Sequence, residues 1–387
     1  MKRIALFSMM VGLLLGTAEA RTWTVEKDGS GDFTVIQDAV DAASDGDVIA
    51  IGPGRYDDYQ TVETNNSLFD IYVFVQTDIE LSFVGTSPTQ TIIGPLDPTI
   101  HDNLIFGFAC GYGVQISIEN LSVENIRDGG VTVYGSLFLQ NCRFLAPSSL
   151  NAIGVSGGLT GGARIENCSF EGLKQGISAV NADGAEIVIE DCEFLNCRTG
   201  IYGYTSGARN VTVQRCTFTG QVPSSAGVAF LVQAGGMIAD CTFTNCKISL
   251  TSSGPLTVTD CSIIRDDGRH AAIIGTGSPL VMERNIFQSN GTVMLIRIYS
   301  THTIRDNHIL RTGEGFWVES GGGLDTGLPA DFSHNYWGTT DLEAIAAGIW
   351  DCQDDPQLLN CVTFEPVADA PVAVEPHSLT GVKELFR

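Results

Sequence analysis

The chain has 387 residues, of which only 17% are charged, and 45 acidic against 21 basic residues give a formal net charge of −24. This balance argues against nucleic acid as a partner, because no basic patch is available to release counterions from phosphates. An acidic surface also repels polyanionic sugars such as pectate, so that kind of substrate would need bridging Ca²⁺ or a local basic groove.

The first twenty residues have the layout of a secretory signal peptide. Lys2 and Arg3 give a basic start, and Ile4–Gly16 is apolar but too short to span a bilayer. Ala18–Ala20 offers a small-x-small cleavage site. A buried N-terminal helix is the alternative and fits these flanks less well. We therefore expect a secreted, periplasmic or cell-surface protein, monomeric and without a transmembrane segment, since no later stretch has about 20 consecutive apolar residues.

A short helix is predicted before the repeats begin. Thr34 and Gln37 have the spacing of a capping box. Apolar residues follow at the spacing of one helical face: Ile36, Ala39, Val40 and Ala43. Because the open end of a repeat fold exposes apolar side chains, we expect this helix to cap the N-terminal end.

From residue 116 onward, one pattern recurs at intervals of 20 to 28 residues, as in IVIEDCEF (Ile187–Phe194) and VTVQRCTF (Val211–Phe218). Self-similarity at this period is typical of a solenoid. One column of the alignment reads Leu121, Cys142, Cys168, Cys192, Cys216, Cys241, Cys261, Asn285, Asn307 and Asn335.

The residue before this column is most often Asn or Asp, which tolerate the left-handed backbone of a sharp bend. Each unit is thus predicted to be a strand, a bend, a second strand with Cys and Phe inward, and a third strand after a loop. Three short strands per coil indicate an all-β, right-handed parallel β-helix of about ten coils, a single domain spanning residues 21–365. A leucine-rich repeat would show a leucine consensus, which is absent.

Eleven cysteines in an exported chain suggest disulfides, but the repeat argues against this for most of them. Neighbouring coils hold the Cβ atoms of the column about 4.8 Å apart, beyond the mean of about 3.8 Å in a disulfide. The column cysteines are therefore predicted to be free and buried, and Cys197 and Cys246 to be unbridged. Cys352 and Cys361 lie outside the column and are the best disulfide candidates.

Two further elements are predicted near the C-terminus. Leu342–Trp350 is expected to form a short capping helix. Residues 366–387 read as an extended Pro- and Ala-rich linker followed by a short tail. The tail is either an anchoring or sorting element or, as we favour, a frayed terminus.

Two families share these features. Residues 27–56, KDGSGDFTVIQDAVDAASDGDVIAIGPGRY, resemble the opening of pectin methylesterases and other pectin-lyase-like proteins. The coil pattern and the closing NYWGTTD of Asn335–Asp341 resemble bacterial right-handed β-helix repeat proteins. A pectin methylesterase would imply two catalytic aspartates, one in a DFIFG-type strand. The nearest string, DNLIFG, has Asn103 at that position and leaves Asp102 one residue out of register, on the other face of a strand.

Polysaccharide enzymes of the fold that this chain resembles work along an outward sheet face, and we predict that the third strands form this face. Its outward positions include Glu319 as the one carboxylate, whereas a glycosidase needs two. Aromatic rings on the same face could stack on neutral sugars, which makes four residues ligand-binding candidates: Tyr134, Tyr202, Tyr204 and Trp317.

A charged cluster borders this face: Arg265, Asp266, Asp267, Arg269 and His270. Two acids beside Arg and His could bind Ca²⁺ or act as an acid–base set, as the paired aspartates of the similar polygalacturonases suggest. Adjacent Asp residues in a strand point to opposite faces, so only a bend would aim both at one sugar. Asp-Asp turns with Gly are also common loop structures. Asp57–Asp58 and Asp354–Asp355 are weaker candidates.

Two functions stay open at this point. We favour a non-catalytic exported scaffold for surface adhesion or glycan binding, with polysaccharide as its expected partner. The alternative is a carbohydrate-active enzyme, a polysaccharide lyase or glycoside hydrolase, with Asp266, Asp267, Arg269 and His270 as its catalytic residues. Phosphate loops and CxxC or HExxH spacings are absent, so no cofactor or metal-ligand set is predicted, with Ca²⁺ left as an open alternative.

Overall fold

The computed structural model describes residues 20–64, 67–76, 78–97, 103–147, 151–181, 185–205, 209–220, 226–231, 234–251, 254–297, 300–321, 329–358 and 361–371. Residues 1–19, Asp102 and the tail from residue 372 lie outside these ranges. The side chain of Tyr204 is likewise outside what the structure describes.

The described chain winds into a parallel β-helix with three sheets. Sheet 1 consists of β5 (Ser67–Val75), β8 (Leu104–Glu119), β10 (Gly129–Gln140), β12 (Ile153–Ser156), β15 (Gln175–Asn181), β18 (Thr199–Thr205), β21 (Ala226–Leu231), β24 (Lys247–Thr251), β27 (Ala272–Ile274), β30 (Met294–Ile296), β33 (Val318–Ser320) and β35 (Ile349–Trp350), with β4 (Gln60–Thr64) antiparallel to β5.

Sheet 2 contains the second halves of β8 and β10, which are long enough to pass through the corner between the sheets. Its other members are β1 (Thr22–Val25), β2 (Asp47–Ile51), β6 (Glu80–Gly85), β13 (Gly162–Glu166), β16 (Ile187–Glu190), β19 (Arg209–Gln214), β22 (Ala234–Ala239), β25 (Leu256–Thr259), β28 (Leu280–Glu283), β31 (His302–Arg305), β34 (Ala330–Asp331) and β36 (Val362–Thr363).

Sheet 3 has eleven strands in the described chain, so the molecule makes slightly more turns than the ten predicted, because strands before residue 116 already belong to the coil. They are β3 (Gly54–Tyr56), β7 (Thr91–Ile93), β9 (Ser122–Glu124), β11 (Arg143–Leu145), β14 (Ser169–Glu171), β17 (Glu193–Leu195), β20 (Thr217–Thr219), β23 (Thr242–Thr244), β26 (Ser262–Arg265), β29 (Ile286–Ser289) and β32 (His308–Arg311).

The predicted bends between sheets 2 and 3 are confirmed. All ten have a left-handed backbone with φ between 51° and 61°: Asn120, Asn141, Asn167, Asp191, Arg215, Asp240, Asp260, Arg284, Asp306 and His334. Asn and Asp adopt this conformation at the lowest cost. Arg215 and Arg284 occupy it while donating from Nε to Asp191 and Asp260 of the preceding coil, each at 2.8 Å.

The column after the bends is buried, as predicted. Its six cysteines are free thiols, and Cys197 and Cys246 are also unbridged. Burial raises the pKa of Cys197 and of Cys246 to about 12, which keeps both thiols protonated. The structure places a disulfide between Cys352 and Cys361, whose Cα atoms are 5.0 Å apart.

Two short helices flank the coil. In α1 (Ile36–Ala42) the N-cap is Val35 and makes no side-chain cap bond, so the predicted capping box of Thr34 and Gln37 is wrong. Gln37 instead exchanges hydrogen bonds with the backbone of Phe74, which attaches α1 to sheet 1. The apolar side of α1 is buried, and the role of this helix as a cap stays a prediction. No helix in the described part of the chain is long and apolar enough to cross a membrane.

The helix α2 (Leu342–Ala347) is shorter than predicted. The side chain of Asp341 accepts from the backbone of Glu343 and Ala344 and starts the helix. Gly348 ends it, and the remainder of the predicted segment forms β35. The last strands of the coil are therefore added after α2.

His302 is an inward residue of β31 and is only 3% exposed, in register with Leu280 of the preceding coil. Neither of its ring nitrogens has a hydrogen-bond partner within the described chain. Burial therefore lowers the pKa of His302 below its ordinary value of 6.5.

A buried neutral histidine makes stability depend on pH in a defined direction. Above about pH 6.5 the ring is neutral in both states and has no effect, while at lower pH only the unfolded chain takes up the proton readily. We expect His302→Leu to raise the free energy of unfolding more at pH 5 than at pH 8. Urea unfolding of both proteins at the two pH values measures this, and equal gains at both would contradict it.

Candidate functional site

The outer face of sheet 1 carries a row of side chains that share one register position, which we call the central row. Strand register aligns them one above the other at intervals of about 4.8 Å. Around Ser249, for example, the neighbouring residues Ile248 and Leu250 point inward and are buried. The central row reads Thr132, Ser156, Ser178, Tyr202, Ser249, Ile273, Leu295, Glu319 and Trp350.

Two exposed tyrosines lie beside the N-terminal part of this row. Tyr112 is 71% and Tyr134 39% exposed, and their ring centroids are 5.0 Å apart at an interplanar angle of 38°. Gly158 leaves the space that Tyr134 occupies, because a Cβ there would lie 3.2 Å from the ring. The sequence predicted an outward Tyr134 but missed Tyr112, which β8 places opposite it.

Trp317 was predicted to face outward, and the structure corrects this. Only 6% of the residue is exposed, and its ring meets Trp337 edge-on at a centroid distance of 6.1 Å. The reason is that β33 begins at Val318, so Trp317 lies in the corner before the strand and turns inward against Gly348. The exposed tryptophan of this face is Trp350, at 38%.

The loop that contains the predicted acid pair is organised around Arg265, which is 1% exposed. Its guanidinium donates to both carboxylate oxygens of Asp267, from Nε at 2.9 Å, and to the backbone carbonyl of His270 at 3.3 Å. Burial would raise the pKa of Asp267, but the hydrogen bonds and charge of Arg265 outweigh it and hold the pKa below its ordinary value. Asp267 is thus a structural anion that fixes the loop.

The structure does not bring Asp266 and Asp267 together as an acid–base set. Asp266 is exposed, and its backbone bonds to the side chains of Asn245 and Asn290. Ser289 also donates to the backbone carbonyl of Arg269 at 2.7 Å. Hydrogen bonds from three coils therefore hold the loop, with the carboxylate of Asp267 bound to Arg265 and the backbone of Asp266 bound to two asparagines.

His270 instead meets Glu319, which lies two strands further along sheet 1. Its Nε2 is 3.8 Å from Oε2 of Glu319, and both side chains are partly exposed, at 32% and 39%. Burial lowers the pKa of His270, and the charge of Glu319 offsets part of that shift. This pair was missed at the level of sequence, where each residue was considered separately.

Lys247 adds a third titratable group to this end of the face. It is the outward first residue of β24, with Ile248 buried after it. Burial, together with the charges of Arg265 and Arg269, lowers the pKa of Lys247. Lys247, His270 and Glu319 make up a site that we call the charged cluster. The only sequence signal for Lys247 was its position before a predicted third strand.

Larger concavities lie on the other sheets. A groove of about 670 Å³ on sheet 3 is lined by Arg143 and Glu171, and one of about 450 Å³ on sheet 2 is lined by Phe138 and Arg164. The arginines in these grooves form ion pairs, since Arg143 lies 3.2 Å from Glu171 and Arg164 lies 3.3 Å from Glu190. Within the described ranges, no three His, Cys, Asp or Glu side chains converge to hold a metal ion.

Comparison with known proteins identifies one family. The model described as "Right handed beta helix region" matches residues 105–220 and 176–328 of this chain. No curated protein matches the chain.

Among solved structures, the chain is similar to the A-module of the mannuronan C-5 epimerase AlgE4 of Azotobacter vinelandii, with 12% identity, TM-score 0.43, and coverage of 86% of this chain and 93% of that one. The AlgE6 A-module of the same organism gives 14% identity, TM-score 0.41 and coverage of 87% and 93%. A mannuronic acid specific polysaccharide family 6 lyase from human gut microbiota gives 10% identity, TM-score 0.37 and coverage of 94% and 98%.

Proposed function

This chain belongs to the right-handed β-helix family, and on that premise we propose that it is an exported protein that binds a polysaccharide along the outer face of sheet 1. One observation carries the proposal, namely the exposed pair of Tyr112 and Tyr134 with their rings 5.0 Å apart on that face. Pyranose rings have apolar faces that pack on aromatic side chains, while their hydroxyls bond to polar neighbours.

The shape of the face favours a chain-like ligand. From Tyr112 on β8 to Trp350 on β35, sheet 1 has eleven described strands, so the face is about 48 Å long at about 4.8 Å per interval. Tyr202 and Ser249 lie between these ends. A small molecule would contact only a short part of such a strip.

Export rests on two features of different kinds. Residues 1–20 have the layout of a signal peptide. The disulfide between Cys352 and Cys361 is of a kind that persists in oxidising compartments such as the periplasm or the cell exterior.

Replacing the tyrosines tests the binding surface. We expect Tyr134→Ala and Tyr112→Ala each to weaken binding about tenfold, because exposed aromatic anchors dominate the energy of such contacts. Isothermal titration with alginate, polygalacturonate, xylan and laminarin, with and without Ca²⁺, provides the measurement.

Leu96→Ala is the matched control, since Leu96 is 78% exposed and lies after β7 of sheet 3, next to Asn125, rather than on a strand of sheet 1. Its affinity should equal that of the wild type. Wild-type protein that binds none of the four polysaccharides, or tyrosine variants that bind as tightly as the wild type, would rule the proposal out.

A second candidate, a carbohydrate-active enzyme, is favoured by the pair of His270 and Glu319 with Lys247 beside it. Burial lowers the pKa of both His270 and Lys247, which keeps the His270 ring neutral and able to accept a proton at neutral pH and favours the neutral form of Lys247. Arg269 is 53% exposed at the border of this cluster and offers a guanidinium to an acidic sugar. This assigns catalysis to the charged cluster rather than to the pair Asp266 and Asp267.

If the protein is catalytic, His270→Ala should reduce product release from the same polysaccharides by about 100-fold, as loss of a general base does. Wild-type activity should fall as the pH drops and His270 becomes protonated. Arg164→Ala, on sheet 2, is the control. Release of new chain ends by the His270 variant at the wild-type rate would exclude this cluster as the catalytic site.

A further inference from the structure

The C-terminal end of sheet 1 is formed by β35, only two residues long. Its residues pair with β33, Ile349 with Val318 and Trp350 with Glu319. Ile349 is 4% exposed and points into the coil, so Trp350 points outward and is 38% exposed. Trp350 therefore stands directly beside the carboxylate that contacts His270.

A strand of two residues with a neighbour on one side has few hydrogen bonds of its own to hold it. The disulfide supplies a covalent attachment, because Cys352 follows Trp350 closely and Cys361 directly precedes β36. The carbonyl of Cys361 accepts from the backbone N–H of Ala330 at 3.0 Å, which joins it to sheet 2. The disulfide thus ties the last strand of sheet 1 to the last strand of sheet 2.

Asp351, between Trp350 and Cys352, reinforces this link. It is 3% exposed, and its carboxylate accepts from the backbone N–H groups of Val362 at 2.7 Å and Gln353 at 2.8 Å. The position of Trp350 is consequently determined by the residues that follow it, together with its single strand neighbour.

From this arrangement we infer that Trp350 is a sugar-stacking residue at the end of the binding face, held beside the charged cluster by the Cys352–Cys361 disulfide. An indole offers a large flat apolar surface at a low cost in conformational entropy. A sugar chain that runs along the face from Trp350 would pass Glu319 on the adjacent strand, about 4.8 Å along the axis, and then reach His270, which lies two strands further on. The inference rests on the proposed polysaccharide-binding function and assigns the terminal position of the same face.

Trp350 also contacts Phe316, with ring centroids 5.8 Å apart, so a purely structural role has to be separated from a binding role. Trp350→Phe retains a flat ring and Trp350→Ala does not. Leu342→Ala is the matched control, because Leu342 is 41% exposed at the same end of the molecule but lies on α2 rather than on sheet 1.

The experiment titrates wild type, Trp350→Ala, Trp350→Phe, Leu342→Ala and the double variant Cys352→Ser/Cys361→Ser with alginate, polygalacturonate, xylan and laminarin. We expect about tenfold weaker binding for Trp350→Ala and at most about a threefold change for Trp350→Phe. Leu342→Ala should bind as the wild type does. The double cysteine variant should lose affinity nearly as far as Trp350→Ala, and adding Trp350→Ala to it should cost nothing more.

Tryptophan fluorescence gives an independent readout. The chain has four tryptophans, of which Trp317 and Trp337 are buried. Bound polysaccharide should therefore reduce quenching by acrylamide in the wild type and not in Trp350→Phe. Hydrogen exchange at Ile349 and Trp350 should be faster in the double cysteine variant, since the strand end is released.

The possible results separate this inference from the proposed function. If Trp350→Ala binds as tightly as the wild type while Tyr134→Ala is weakened, the function stands and the terminal position is wrong. If neither Trp350→Ala nor Tyr134→Ala binds more weakly than the wild type, both the proposed function and the role of Trp350 are rejected. The role of the disulfide is rejected if Trp350→Ala binds more weakly while the double cysteine variant binds as the wild type does. The assignment to Trp350 is rejected if Leu342→Ala loses as much affinity as Trp350→Ala.

Discussion

We expect Phe194→Ala to lower the free energy of unfolding by about 3–5 kcal/mol, the usual cost of removing a buried phenylalanine. Phe194 is 2% exposed and lies in a stack of rings from successive coils. Its ring centroid is 4.9 Å from that of Phe170 and 4.6 Å from that of Phe218, and the planes are within 7° of parallel. The parallel strands fix the spacing of the coils, so the neighbours cannot close in, and the cavity remains.

Urea unfolding followed by circular dichroism measures this loss. Phe138→Ala is a suitable comparison, because Phe138 points outward from sheet 2 and is only partly buried. Its removal should cost about 1 kcal/mol or less, as for other surface positions. Equal losses at Phe194 and Phe138 would mean that the ring stack does not stabilise the core.

Asn307→Leu should also destabilise the protein strongly, by about 3–5 kcal/mol, because each buried polar group left without a partner costs about 1–3 kcal/mol. Asn307 is fully buried, and its Nδ2 donates to the carbonyls of Met282 and Arg305, each at 2.8 Å, while its backbone N–H donates to Oδ1 of Asn335 at 2.8 Å. Its Oδ1 accepts from the backbone N and the Nδ2 of Asn285, both at 2.9 Å. Leucine is similar in size but makes none of these side-chain hydrogen bonds.

The cysteine part of the same column supplies the control for this change. Cys216→Ala removes one sulfur from an equally buried position and should cost about 1–2 kcal/mol, the lower end for core truncations. Thermal and urea unfolding of the two variants give the comparison. A loss for Asn307→Leu no larger than for Cys216→Ala would show that the asparagine ladder is energetically neutral.

The repeating interior could be predicted because every coil needs the same kinds of residue at the same positions. A bend must follow each strand of sheet 2, so a residue that tolerates positive φ precedes the column every time, from Asn120 to His334. The column itself must be small and inward, which Cys and Asn satisfy in different ways. These rules act within one coil, so they can be applied without knowing which side chains of other coils lie nearby.

The outer face was predicted less well because the loops between sheets differ in length. Alternation places Tyr134 and Tyr202 outward, but the same rule fails at Trp317, because β33 begins only at Val318 and Trp317 lies in the corner before it. Alternation of side chains applies only within a strand. Trp350 was missed because its strand follows α2 and was assigned to the helix.

The order of residues along the chain was enough to predict the solenoid, its left-handed bends, the buried free thiols and the inward column, because these depend on spacing within a single coil. Which charged side chains meet became known only from the folded coil. Arg265 binds the carboxylate of Asp267, and stacking of coils brings Glu319 to His270 and Trp350 to Glu319. Contacts between coils depend on the lengths of the variable loops and on whether a side chain at a corner turns inward or outward. The repeat pattern of a single coil specifies neither of these.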